Sequence, residues 1–107
     1  MPVMLYVIGP VTGRPDDNFE AFGAASDKLF EAGCHPCIPH EFVPKGAAWP
    51  DAMRDSIHAL TGHRPAFDGV AMLDGWEQSR GARLERQVAE ACGIPCKTVN
   101  EWLEEAQ

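Results

Sequence analysis

Continuous apolar runs and helical apolar stripes alternate along this chain. Residues 3–8 (VMLYVI) form an unbroken apolar run closed by Gly9 and Pro10, the pattern of a strand buried on both faces. Residues 18–32 place Phe19, Phe22, Leu29 and Phe30 at helical spacing. Asp16 or Asp17 is expected to cap that helix and Gly33 to stop it. Residues 34–38 read as a short strand, and Pro36 puts it at a sheet edge. A Pro- and Gly-rich loop over 39–49 leads to a helix opened by Pro50, with Met53, Ile57 and Leu60 facing the core. After a polar connection over 61–66, residues 67–73 (FDGVAML) form the next strand. Ser79 caps a helix with Leu84, Val88 and Ala91 at core spacing, ended by Gly93. A last short strand over 94–97 precedes a Thr98-x-x-Glu101 capping box and a final helix. The order βαβαβαβα predicts an α/β fold with a mainly parallel sheet and right-handed crossovers.

The length of 107 residues fits one domain over 1–107. The composition is that of a globular protein, 45 % hydrophobic and 23 % charged. A net charge of −7 argues against a nucleic-acid polymer or an anionic membrane as partner, though a few local donors suffice for a small phosphorylated ligand. No apolar run reaches the roughly 20 residues of a membrane span. The apolar start lacks a basic segment and a small-residue cleavage site, so it reads as a strand, and a cytoplasmic location is expected.

Four cysteines invite a metal reading through Cys34, Cys37, His40, Cys92 and Cys96. The Cys92 to Cys96 spacing, however, spans a helix stop and Pro95, unlike a zinc knuckle. Pro36 and Pro39 argue against the helix start that a redox Cys-x-x-Cys occupies. Small buried thiols in a reducing compartment are the plainer reading, and no metal is expected.

Chemistry concentrates between Leu73 and Glu85. Glu85 has Gly81, Ala82, Val88 and Ala89 three and four residues away and therefore no basic partner on its helix. Most helical glutamates are solvated. Here a side chain leaning toward the helix N-terminus points over Gly81 and Ala82, into the strand-to-helix mouth where open α/β sheets bind ligands. The helix N-terminus is expected to help keep it ionised, which suits a nucleophile more than a proton donor, and carboxylates attack anomeric carbons in glycosidic cleavage. Tyr6, on the first strand, either orients Glu85 or fills core. The loop over 9–17 offers Gly9, Thr12, Gly13 and Arg14 as a phosphate cradle, or merely connects elements. Asp55 shares with Asp51 and His58 a face that spacing alone marks as solvated.

Tyr6-Val7-Ile8-Gly9-Pro10-Val11-Thr12-Gly13, Pro39-His40-Glu41, Met53-Arg54-Asp55 and the segment from Gly75 to Glu85 together resemble the nucleoside 2-deoxyribosyltransferase-like superfamily. The nearest likeness is its short bacterial and phage branch, classed as a domain of unknown function. The resemblance implies a three-layer flavodoxin-like or Rossmann-like fold with four to five strands, and a homodimer or larger homo-oligomer. It implies that Glu85 attacks C1′ of a nucleoside or nucleoside 5′-monophosphate, that Tyr6 orients it, and that Asp55 assists at the sugar or leaving base. It further implies that Ser79 and the loop from Gly9 through Pro10, Thr12 and Gly13 to Arg14 hold a phosphate, with Arg80 and Gly81 beside them and Glu77 at the mouth. The arginine of the monophosphate hydrolases falls at Thr12, with Arg14 nearby. The expected function is an N-glycosidase or N-glycosyltransferase that needs no cofactor. The rival is a nucleotide-binding or sensing module of the same fold without turnover.

Overall fold

The computed structural model describes residues 2–62 and 66–106. Four strands, β1 (Met4–Ile8), β2 (His35–Cys37), β3 (Gly69–Met72) and β4 (Cys96–Thr98), form one sheet in the order β2-β1-β3-β4. Every pairing is parallel, with Tyr6 opposite Cys37 on one side and Val70 on the other. Four helices, α1 (Phe19–Glu31), α2 (Trp49–Gly62), α3 (Arg80–Ala91) and α4 (Val99–Glu105), cover it. The α/β, mainly parallel, three-layer expectation is met.

Strand alternation divides the core into two layers. Tyr6, Ile8, Val70 and Met72 pack with Ala59 and Leu60 of α2 and with Ala82 and Ala89 of α3. Leu5, Val7, Ala71 and Leu73 pack with Phe22, Ala25 and Leu29 of α1, joined by Val99 and Trp102 of α4. The strands are thus buried on both faces, as their apolar runs require. Pro36 lies on the edge strand, where its missing N–H costs no ladder bond. Cys34 and Cys37 enter opposite core layers and Cys92 is exposed. Among the described residues no group of three or more His, Cys, Asp or Glu is placed to hold a metal ion. Nor is any described helix long and apolar enough to cross a membrane.

Several local expectations are corrected. α1 is capped by neither Asp16 nor Asp17. A 3-10 turn, Pro15–Asn18, precedes it, and Asp16, Asp17 and Asn18 all have positive φ (49°, 54° and 61°). The Asn18 amide instead donates to the Pro10 carbonyl at 2.8 Å. Phe19 and Phe30 are 50 % and 69 % exposed, because the sheet-facing stripe is Phe22, Ala25 and Leu29. On α2 the buried residues are Ser56, Ala59 and Leu60, while Met53 and Ile57 are half-buried. On α3 they are Ala82, Glu85 and Ala89; Leu84 and Ala91 face solvent. Small residues let α3 approach the sheet closely, and that approach turns Glu85 inward. The polar connection loses Thr61 and Gly62 to α2, and residues 63–65 lie outside the described ones. The capping expectations at Ser79 and Thr98 hold, each hydroxyl accepting from the backbone N–H three residues on.

Candidate active site

A cleft of about 500 Å³ opens at the C-terminal ends of the strands, the usual ligand position in open parallel sheets. Three strand exits and two helices, α2 and α3, build it. Gly9 to Arg14 leave β1, Pro39 and His40 follow β2, Gln78 to Ala82 follow β3, and Trp49, Met53 and Ser56 project from α2. Gly9 is required by close approach, since a Cβ there would stand 2.8 Å from the Leu73 Cβ. Gly81 fits where α3 meets α2, its Cβ position 3.3 Å from the Met53 sulfur.

On the cleft floor three side chains from three elements are linked. Tyr6 of β1 is fully buried and its hydroxyl lies 2.6 Å from the Ser56 Oγ of α2. Ser56 donates in turn to Oε2 of Glu85 on α3. Glu85 is 6 % exposed, and burial, only partly offset by the Ser56 hydrogen bond, pushes its carboxyl up to about 7. Desolvation thus outweighs the help toward ionisation expected from the helix N-terminus. Burial, with the nearby Glu85 carboxylate second, drives the Tyr6 hydroxyl far above its usual range. Tyr6 is therefore a neutral donor at any physiological pH.

The upper cleft is cationic and aromatic. The Arg80 guanidinium stacks on Trp49, its Cζ 4.2 Å from the ring centroid. Ser79 accepts from the Ala82 N–H at 3.2 Å, which leaves its own hydroxyl proton for a ligand. Arg14 and the N-terminus of the twelve-residue α3 face the same space. His40 is wedged between Phe19 and Phe22, with ring centroids 5.5 and 4.9 Å away. Its Nε2 donates to the Asp17 carbonyl at 2.9 Å, so its Nδ1 is an acceptor in the neutral ring, with no hydrogen-bond partner among the described residues.

A family model for the domain of unknown function DUF4406 matches residues 3–98. The chain belongs to the DUF4406 family. No curated protein matches it significantly.

Of the residues singled out in the DUF4406 sequence, Gly9, Pro10, Thr12, Arg14, Ser79, Arg80, Gly81 and Glu85 line the cleft. Tyr6 lies beneath it and is linked to Glu85 by hydrogen bonds through Ser56. Gly13, Asp55 and Glu77 are not in its lining. Asp55 is half-buried one residue before Ser56, and that 100° step along the helix turns it away from the floor. Glu77 lies in the 3-10 turn Trp76–Gln78, where its carbonyl accepts from Arg83 at 2.9 Å.

Ser56, His40, Asp17 and Trp49 are cleft residues that sequence reasoning did not single out for this site. Ser56 carried one usable signal: a serine three residues before Ala59 and four before Leu60, on what becomes the buried face, demands a polar partner inside the core.

Proposed function

We propose that this DUF4406 domain is an N-glycosidase or N-glycosyltransferase acting on a nucleoside or nucleoside 5′-monophosphate, with Glu85 as nucleophile. The observation that carries the reading is a buried carboxylate, without an ion-pair partner among the described residues, on the floor of a cleft whose upper wall is cationic and aromatic. A carboxyl held at about 7 is half ionised at neutral pH, and its anion, poorly solvated, is a stronger nucleophile than one in water. In the proposed reaction a Glu85 oxygen bonds to C1′ as the C1′–N bond breaks. The base departs with the bonding pair and takes a proton from solvent. Water, or a second base, then displaces Glu85 and restores the carboxylate.

The resemblance to the nucleoside 2-deoxyribosyltransferase-like superfamily supports the same roles for Tyr6 and Glu85. Arg14, Arg80, the Ser79 hydroxyl and the α3 N-terminus suit a 5′-phosphate, and Trp49 and Met53 offer an apolar wall to a base. This carboxylate chemistry needs no metal or organic cofactor. Asp55 has no assigned step, lying away from the floor of the single chain. Assembly into a homodimer and a cytoplasmic location, consistent with four free thiols, belong to the same proposal; light scattering on the purified protein tests the first.

The deciding experiment is chromatographic detection of free base after incubating wild type and Glu85→Ala with nucleosides and 5′-monophosphates, with and without an acceptor base. Release by wild type alone is expected. Binding without release across the panel would favour the nucleotide-binding module over the enzyme.

A further inference from the structure

Ser56 is a buried hydroxyl, 4 % exposed, on a helix face that otherwise delivers Ala59 and Leu60 to the core. Its hydrogen bonds run to Tyr6 and Glu85, two residues from other elements. An ionised Glu85 only accepts, so the Ser56 proton goes to Oε2, and the remaining Ser56 lone pairs accept from the Tyr6 O–H. Only one proton arrangement satisfies all three groups. Hydrogen bonds in such a series polarise and strengthen one another.

Resting on the glycosidase reading, we propose that Ser56 is the positioning residue of this site: Tyr6 acts on Glu85 through the Ser56 hydroxyl and not directly, fixing Oε2 and presenting Oε1 to the substrate. The fully buried tyrosine ring packs against Phe67 at 5.2 Å and Phe42 at 6.1 Å, so the Tyr6 hydroxyl is presented to Ser56 from a packed core position. Rotation of Glu85 away from attack geometry requires breaking the Ser56 bond first. Other ionisable groups lining the same cleft are Arg14 and Asp17 from the loop after β1, His40 from the loop after β2, and Arg80 at the start of α3. None of these forms an ion pair with Glu85 among the described residues, so the hydroxyl chain is the specific hold on it.

The test uses Ser56→Ala, Ser56→Thr and Tyr6→Phe in the whole protein, with two readouts. One is the pH dependence of kcat and KM for base release; the other is the Glu85 carboxyl titration followed by carbon-13 NMR without ligand. Ser56→Ala is expected to lower kcat roughly 10- to 100-fold with KM changed less than about twofold. The acid limb of the kcat profile and the NMR titration should both move to higher pH, since a donor to the ionised form is gone. Tyr6→Phe should shift both in the same direction by less, and Ser56→Thr, which keeps the hydroxyl, should recover most of each. Wild-type titration in Ser56→Ala overturns the proposal, as does a folded Ser56→Thr protein that behaves like Ser56→Ala. Should wild type release no base from any substrate, the enzyme reading fails while the NMR titration still decides whether Ser56 governs Glu85.

Discussion

Leu84 and Glu85 are neighbours on α3 with exchanged surroundings: the leucine is 37 % exposed and the glutamate 6 %. The helix pays for this orientation with an apolar residue in water and a carboxyl out of it. The consequence for stability follows from the Glu85 carboxyl being raised from an ordinary 4.5 to about 7. Below pH 4.5 the group is neutral in both folded and unfolded chains, and no penalty arises. Between 4.5 and 7 the unfolded chain releases the proton while the folded one keeps it, so stability falls as pH rises, by about 3 kcal/mol in all, and levels off above 7. Glu85→Gln removes this slope and should be more stable than wild type near pH 8. Urea denaturation of both proteins from pH 4 to 9 checks it, and parallel curves would contradict it.

Chemistry should respond oppositely to the same substitution. Glu85→Gln and Glu85→Ala are expected to lower base release at least about 1000-fold while a nucleotide still binds. Calorimetric titration beside the product assay separates the two effects. Loss of binding in parallel with activity would mean that the carboxylate holds ligand and does not attack it.

Arg80 stacks on Trp49 at the cleft wall, away from the Tyr6–Ser56–Glu85 floor. Arg80→Gln should therefore raise KM for 5′-monophosphates roughly tenfold and leave unphosphorylated nucleosides nearly unchanged. Equal losses on both substrate types would place Arg80 against the base or sugar instead of the phosphate.

Gly69 opens β3 beneath the Trp102 ring. A Cβ there would lie 2.2 Å from Trp102 Cζ2, and the indole N–H donates to the Val70 carbonyl at 2.8 Å. Gly69→Ala must displace the ring and break that bond, at about 1–3 kcal/mol or more. A lowered denaturation midpoint with altered tryptophan fluorescence is expected. An unchanged midpoint would show that α4 yields without cost.

The architecture was legible because parallel strands buried on both faces must be apolar throughout, and residues 3–8 and 70–73 are. Ser79 and Thr98 announced their helices through capping chemistry, which is local. The faces of the helices were less legible. Leu84, Val88 and Ala91 offer a better apolar stripe than Ala82, Glu85 and Ala89, yet the smaller set faces the sheet, because packing distance and not hydrophobicity alone selects the face. Gly81 and Ala82 did reveal that Glu85 had room to turn inward. Ser56 was not legible as its partner, since nothing in the spacing of Tyr6, Ser56 and Glu85 brings three distant positions together. The left-handed run at Asp16, Asp17 and Asn18 was equally hidden, being held by tertiary bonds from Asn18 to Pro10 and from His40 to Asp17.

The pairing of β1 with β3 has a consequence for how the chain comes into being. Met4–Ile8 is a central strand whose partner on one side, Gly69–Met72, is more than sixty residues away, and the Met4 N–H donates to the Asp68 side chain at 2.8 Å. During synthesis the apolar strand β1 therefore waits, one edge unpaired, until Gly69–Met72 has emerged. Tyr6, Ser56 and Glu85 are drawn from the first, middle and last portions of that same delayed closure. The hydroxyl chain on the cleft floor can form only once β1, α2 and α3 have packed together, so its intactness reports on the joining of these three elements.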